Sequence, residues 1–129
     1  MGDGYGARVE VSRLRFESLV ADALDSIPPE LAAQMDNVAV VVEDWPTAEQ
    51  LGGRPGTLLG LYEGVMLTHR TPGNYAGVLP DRITIFRGPL MERASDETEL
   101  ARKIRTTVVH EVGHHFGLSD GRLHELGWA

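Results

Sequence analysis

The chain contains no cysteine, so neither a disulfide framework nor a thiolate metal site is open to it. Long hydrophobic runs are missing too. The longest, Val38 to Val42, falls far short of the roughly 20 apolar residues that a membrane-spanning helix needs, and Met1 to Glu10 holds no apolar signal core. A cytoplasmic protein with no membrane partner is therefore expected. Positive charge is in deficit: 12 Lys and Arg against 19 Asp and Glu leave a net charge of −7, and the basic residues are scattered rather than clustered. That pattern lacks the electrostatic footprint of a nucleic-acid binder, so no nucleic-acid partner is expected.

What remains is the composition of a folded protein. With 42% apolar and 24% charged residues in 129, the chain suits one domain spanning 1–129 with a modest core, of which the glycine-rich residues 1–9 are expected to be flexible. Ser12 is placed to cap a helix whose apolar residues Phe16, Leu19, Val20, Ala23, Leu24 and Ile27 recur at helical spacing. Pro28 ends that helix, and Pro29 starts a short second one through Met35. Val38 to Val42 is a β-branched run and reads as a central strand covered on both faces. Thr47 to Leu51 reads as one helical turn before the Gly52-Gly53-Arg54-Pro55-Gly56 break. Thr57 to Glu63 reads as a second strand, in which Gly60 signals a bulge or a close backbone approach. Leu67 to Gly77 carries Thr-Pro-Gly-Asn and reads as a hairpin loop or lid, with His69 an exposed loop histidine. Arg82 to Arg87 alternates polar and apolar residues, the pattern of a strand with one buried face.

The chemistry is concentrated in His110-Glu111-Val112-Gly113-His114-His115-Phe116-Gly117-Leu118-Ser119-Asp120, an H-E-x-x-H that continues as H-E-x-x-H-x-x-G-x-x-D. It falls at the end of an expected helix that begins at Asp96, where Asp96 and Glu99 resemble a capping box, and runs to about Phe116. At about 100° per residue, His110 and His114 lie about 40° apart on one face, so two imidazoles can reach one metal ion. Glu111, about 60° from His114, approaches the open side of that metal without having to ligate it, which is where a hydrolytic general base belongs. Leu100, Ile104, Val108, Val112 and Phe116 form an apolar stripe facing broadly away from the two histidines, so packing and metal binding use different faces. His115 lies toward the apolar side and reads as a packed histidine rather than a ligand.

A catalytic zinc site normally takes three protein ligands and a water. Gly117 can take the left-handed conformation that ends a helix and reverses the chain, and Asp120 follows close enough to return a carboxylate oxygen. The ordinary readings are a helix C-cap for Gly117 and a solvated turn carboxylate for Asp120 within Ser119-Asp120-Gly121. Neither is incompatible with a metal site. Leu123, Leu126 and Trp128 are placed to cover one end of the core, and His124 and Glu125 read as surface residues.

With these residues in hand, the chain resembles the zincin metallopeptidases, and more closely a group of small bacterial zincin-like proteins described as minimal metallopeptidases. The segments that carry the resemblance are Asn37 to Glu43, Gly60 to Gly64, Leu79 to Ile83, Phe86 to Leu90 and His110 to Asp120. The resemblance implies an α+β fold, a small mixed sheet packed on helices with the motif helix at the floor of the cleft. The motif looks most like that of metzincins, whose third ligand is a histidine or aspartate after the glycine. The methionine turn that metzincins carry further along the chain is absent, because Met1, Met35, Met66 and Met91 all precede Asp120. Gluzincins take a glutamate from a later helix, and Glu125 follows His114 too closely for that pattern. Asp120 is favoured.

The expectation is a zinc-dependent peptidase acting on a peptide or protein substrate, with Zn2+ held by His110, His114 and Asp120 and with Glu111 as general base. Tyr62, Tyr75, Arg82 and Arg87 stand as open candidates for oxyanion stabilisation. The alternative is a metal-stabilised binding or scaffold protein with vestigial hydrolysis. Glu111 discriminates between the two, since a scaffold has no need of it.

Overall fold

The computed structural model describes residues 9–35, 37–64 and 81–125, the side chains of Glu30 and Asp120 excepted. The readings made for the first eight residues, for the Leu67 to Gly77 loop with His69 and Tyr75, and for Leu126 and Trp128 lie outside the described residues.

Helix α1, Arg13–Asp25, starts where Ser12 Oγ accepts a hydrogen bond from the Arg15 backbone N–H at 3.1 Å. Its apolar spacing buries Phe16, Leu19, Val20 and Ala23 on one face, as the periodicity predicts. Pro29 opens the short helix α2, Pro29–Ala32, which ends before Met35 because turn residues follow Ala32. Asn37, in the left-handed region at φ 57°, turns the chain into strand β1, Val38–Glu43. A complete capping box between Thr47 and Gln50 begins helix α3, Ala48–Leu51, and Gly52 closes it at φ 60°.

Strand β2 is shorter than the sequence suggests, Gly60–Glu63, and strand β3 spans Asp81–Phe86. The sheet order is β1-β3-β2, with β1 parallel and β2 antiparallel to β3, giving the mixed α+β arrangement. This corrects two readings. Among the described residues β1 is an edge strand, all of its residues half-buried, and the central strand is β3, where every residue except Arg82 is buried. The β-branched run announces apolar surroundings but cannot say which strand has two neighbours. The polar residue at position 84 misled in the same way, since Thr84 is fully enclosed.

Helix α4, Arg87–Glu92, follows β3 directly and has no counterpart in the sequence reading. Gly88 is required by packing: a Cβ there would run into the Trp45 ring, and the Gly88 N–H donates to Asp44 O at 2.8 Å.

Helix α5, Glu97–His115, is the longest described element. Asp96 Oδ1 accepts from the Glu99 N–H at 2.8 Å, but the Glu99 carboxylate returns to the N–H and hydroxyl of Ser95 rather than to Asp96. The cap is therefore a box displaced by one residue. Its stripe is as expected: Leu100, Ile104, Val108 and Val112 are all fully buried against α1 and the sheet, with Phe116 partly buried beside them. Each such side chain contributes about 1.5–3 kcal/mol, far above the few tenths per residue by which Thr106-Thr107-Val108-Val109 disfavours a helix. Burial decides the conformation of that run.

Candidate active site

The site is built on the last two turns of α5 and the reversal after them. His110 is half-buried, the Glu111 side chain is about 10% exposed and the His114 side chain 46%, so the carboxylate is the most sheltered of the three motif residues. His114 Nδ1 lies 3.2 Å from Glu111 Oε1. This contact turns Nε2 away from the carboxylate, making it the nitrogen available to a metal.

Glu111 is buried because β2 covers it. A Cβ on Gly60 would stand 3.1 Å from Glu111 Cγ, 3.3 Å from Glu111 Oε2 and 2.7 Å from Thr107 Cγ2. The close approach read from Gly60 in the sequence is thus a contact between strand backbone and the carboxylate of the motif. Among the described residues β2 is the outer strand on this side, paired only with β3.

The chain reversal follows the sequence reading in detail. Phe116 caps α5, Gly117 takes φ 75°, its N–H donates to His114 O at 3.0 Å, and the Leu118 N–H donates to Gly113 O at 2.8 Å. These paired bonds satisfy the carbonyls at the end of the helix. Ser119 then caps helix α6, Asp120–Glu125, its Oγ accepting from the Arg122 N–H at 3.1 Å. Asp120 is therefore the first residue of a helix rather than part of an open turn. Its side chain lies outside the described residues, and among those described no three His, Asp or Glu side chains converge.

α6 is held to α5 by a fully buried Leu123 lying against Gly113. The sequence places Leu123 over the core but gives no partner. A glycine inside H-E-x-x-H was the available signal, since glycine weakens a helix and marks close packing when it occurs there. His124 and Glu125 are exposed, as read, and Glu125 pairs with Arg122 at 3.1 Å.

His115 is completely buried, as its position on the apolar side predicts. What the sequence did not reveal is its partner. His115 Nδ1 lies 2.9 Å from Asp81 Oδ2, and the same oxygen accepts from the Tyr62 hydroxyl at 2.7 Å. The oxyanion candidates resolve accordingly. Tyr62 donates to Asp81, Arg82 pairs with Glu43 at 2.8 Å, and Arg87 donates to Val11 O at 2.6 Å and to Asp44 at 3.3 Å. All three have partners within the fold, and Tyr75 lies outside the described residues.

Two imidazoles one turn apart, a neighbouring carboxylate and no thiolate make a donor set that suits zinc. A family model described as zincin-like metallopeptidase matches residues 35–128. A solved structure, a conserved hypothetical protein from T. thermophilus, is similar in fold, with a TM-score of 0.55 at 21% identity over 90% of this chain and 97% of that one. No curated protein matches.

Proposed function

Since the chain belongs to the zincin-like metallopeptidase family, we propose that it is a zinc-dependent peptidase in which Glu111 is the general base and His110, His114 and Asp120 hold the metal. Bound there, zinc supplies Lewis acidity to a water and to the carbonyl oxygen of the scissile bond. Glu111 takes the proton that the water gives up and returns it to the leaving amine nitrogen.

The observation that carries this reading is the placement of Glu111. A carboxylate is costly to bury, and a scaffold gains nothing from burying one beside two histidines. Here the backbone of Gly60 shelters it from bulk water while leaving Oε1 beside His114. The outer edge of β2, unpaired among the described residues, also gives a peptide somewhere to lie. An extended substrate adding to its outer edge would run past Glu111, with backbone hydrogen bonds providing affinity.

The test is a peptide-library cleavage assay on zinc-loaded protein beside Glu111→Gln, with zinc content measured in both. Glu111→Gln is expected to keep its zinc and lose roughly 10²–10⁴-fold in cleavage rate. Unchanged cleavage in that variant would remove the catalytic assignment. Asp120→Ala is expected to lower zinc content, and full retention would point to another third donor.

A further inference from the structure

The Tyr62, Asp81 and His115 cluster is absorbed by neither the apolar core nor the proposed chemistry. Asp81 is 4% exposed and His115 is fully buried, yet the one is an acid and the other an imidazole. Asp81 Oδ2 receives both the Tyr62 hydroxyl and His115 Nδ1. His115 Nδ1 thus faces the same carboxylate oxygen that the Tyr62 hydroxyl reaches. The His115 ring also meets Tyr62 and Phe116 edge to face, with centroids 5.8 Å and 5.1 Å apart. A Cβ on Gly64 would collide with the Asp81 carboxylate, so the chain leaving β2 closes over the cluster.

The position of this cluster ties it to the motif. Leu100, Ile104, Val108 and Val112 of the apolar stripe are fully buried, but Phe116, the stripe residue that follows His114, is only partly buried, so the last turn of α5 is its less firmly packed end. Apolar packing also tolerates small rotations of a helix about its axis, whereas a hydrogen bond is directional. His115 follows His114 in sequence. Fixing the direction of one fixes the other about 100° away around the helix.

We propose that Tyr62, Asp81 and His115 form a buried positioning network that sets the rotation of the last turn of α5 and so aims His114 at the metal. The proposal rests on the zinc-site reading above. His115 and Asp81 touch no reacting atom; they act through His114.

The experiment measures zinc dissociation constants by chelator competition, and the visible spectrum of the cobalt-substituted protein, for the parent chain, His115→Phe, His115→Asn and Tyr62→Phe. His115→Phe keeps the ring volume and loses the bond to Asp81. It is expected to retain the far-UV signature of a folded chain, to bind zinc roughly 10–100-fold more weakly and to shift the cobalt bands. Tyr62→Phe leaves the His115 bond in place and is expected to weaken zinc binding roughly fivefold. His115→Asn restores a donor near the Nδ1 position and is expected to recover part of the affinity that His115→Phe loses. Should His115→Phe fail to fold, Tyr62→Phe and His115→Asn decide the matter. Parental zinc affinity and cobalt spectra in the folded variants, whatever their melting temperatures, would overturn the proposal by reducing the network to structural support. A parent chain that binds neither zinc nor cobalt would overturn the zinc-site reading and the proposal together, a failure visible before any variant is made.

Discussion

Leu123 lies directly against the Cα of Gly113, so that a Cβ on the glycine would stand 2.6 Å from Leu123 Cδ1, 3.0 Å from Cδ2 and 3.1 Å from Cγ. Gly113 sits inside the H-E-x-x-H turn, and Leu123 is the buried residue of the short helix that begins at Asp120. The position of Asp120 relative to the two histidines is thus set partly by a residue that carries no chemistry.

Gly113→Ala puts two effects in opposition. Alanine improves helix propensity by about 1 kcal/mol, but overpacking against a fully buried leucine costs about 1–3 kcal/mol. The clash is expected to win. The variant should melt several degrees lower and hold less zinc by elemental analysis, and adding Leu123→Ala in the same chain should restore zinc content. A Gly113→Ala protein with parental stability and zinc would show that α6 can shift without consequence.

Gly60→Ala tests the other wall of the site. The new methyl group would press on Thr107 Cγ2 and on the Glu111 side chain, neither of which ligates zinc in the proposed arrangement. Zinc content should therefore stay at the parental level while peptide cleavage falls at least tenfold, roughly the effect of misplacing a catalytic group by less than 1 Å. Parallel loss of zinc and cleavage would mean that the strand supports the metal ligands instead.

Acid should act on the start of α5. Hydrogen bonds from the Ser95 backbone N–H, and then from its hydroxyl, hold the Glu99 carboxyl below its usual value. The folded state therefore binds the proton less readily than the unfolded chain. The resulting stabilisation is present above the unfolded glutamate value of about 4.3, and it is lost as pH falls through that value and on through the lower folded one. Glu99→Gln removes this titration, so the decline in urea midpoint with falling pH should be shallower than in the parent. Identical slopes would assign the acid sensitivity to other carboxylates. The carboxylate is still partly open to solvent, so the difference should be small.

Much of the candidate site was legible because it is local. His110, Glu111, His114, Gly117 and Asp120 lie within eleven consecutive residues, and helix geometry alone places the first three and the reversal. Gly60 was legible as a close approach because a glycine within a strand has few other reasons to be there. Its neighbour could not be read, since Glu111 lies 51 positions further along the chain. Asp81 was hidden for the same reason: 34 residues separate it from His115, and an acid at the start of a strand looks like a surface residue. The strand order failed differently. Val38 to Val42 is more apolar than β3, yet β3 is central, because centrality depends on how many strands flank a segment rather than on its own composition. The Trp45 ring that excludes a side chain at Gly88 was hidden for the reason that hid Asp81, since it comes from a distant loop.

The edge position of β1 has one further effect. Arg13, at the start of α1, donates from Nη1 to the Val42 carbonyl at 2.7 Å and from Nη2 to Asp44 at 3.1 Å. Among the described residues the sheet has three strands and is largely border, and an apolar border strand is where sheets of separate molecules join and begin to grow into fibrils. A strand approaching the Val42 end of β1 must first dislodge this guanidinium. The obstacle is partly an exposed ion pair, so it weakens as ionic strength rises, and concentrated salt should favour self-association along this flank.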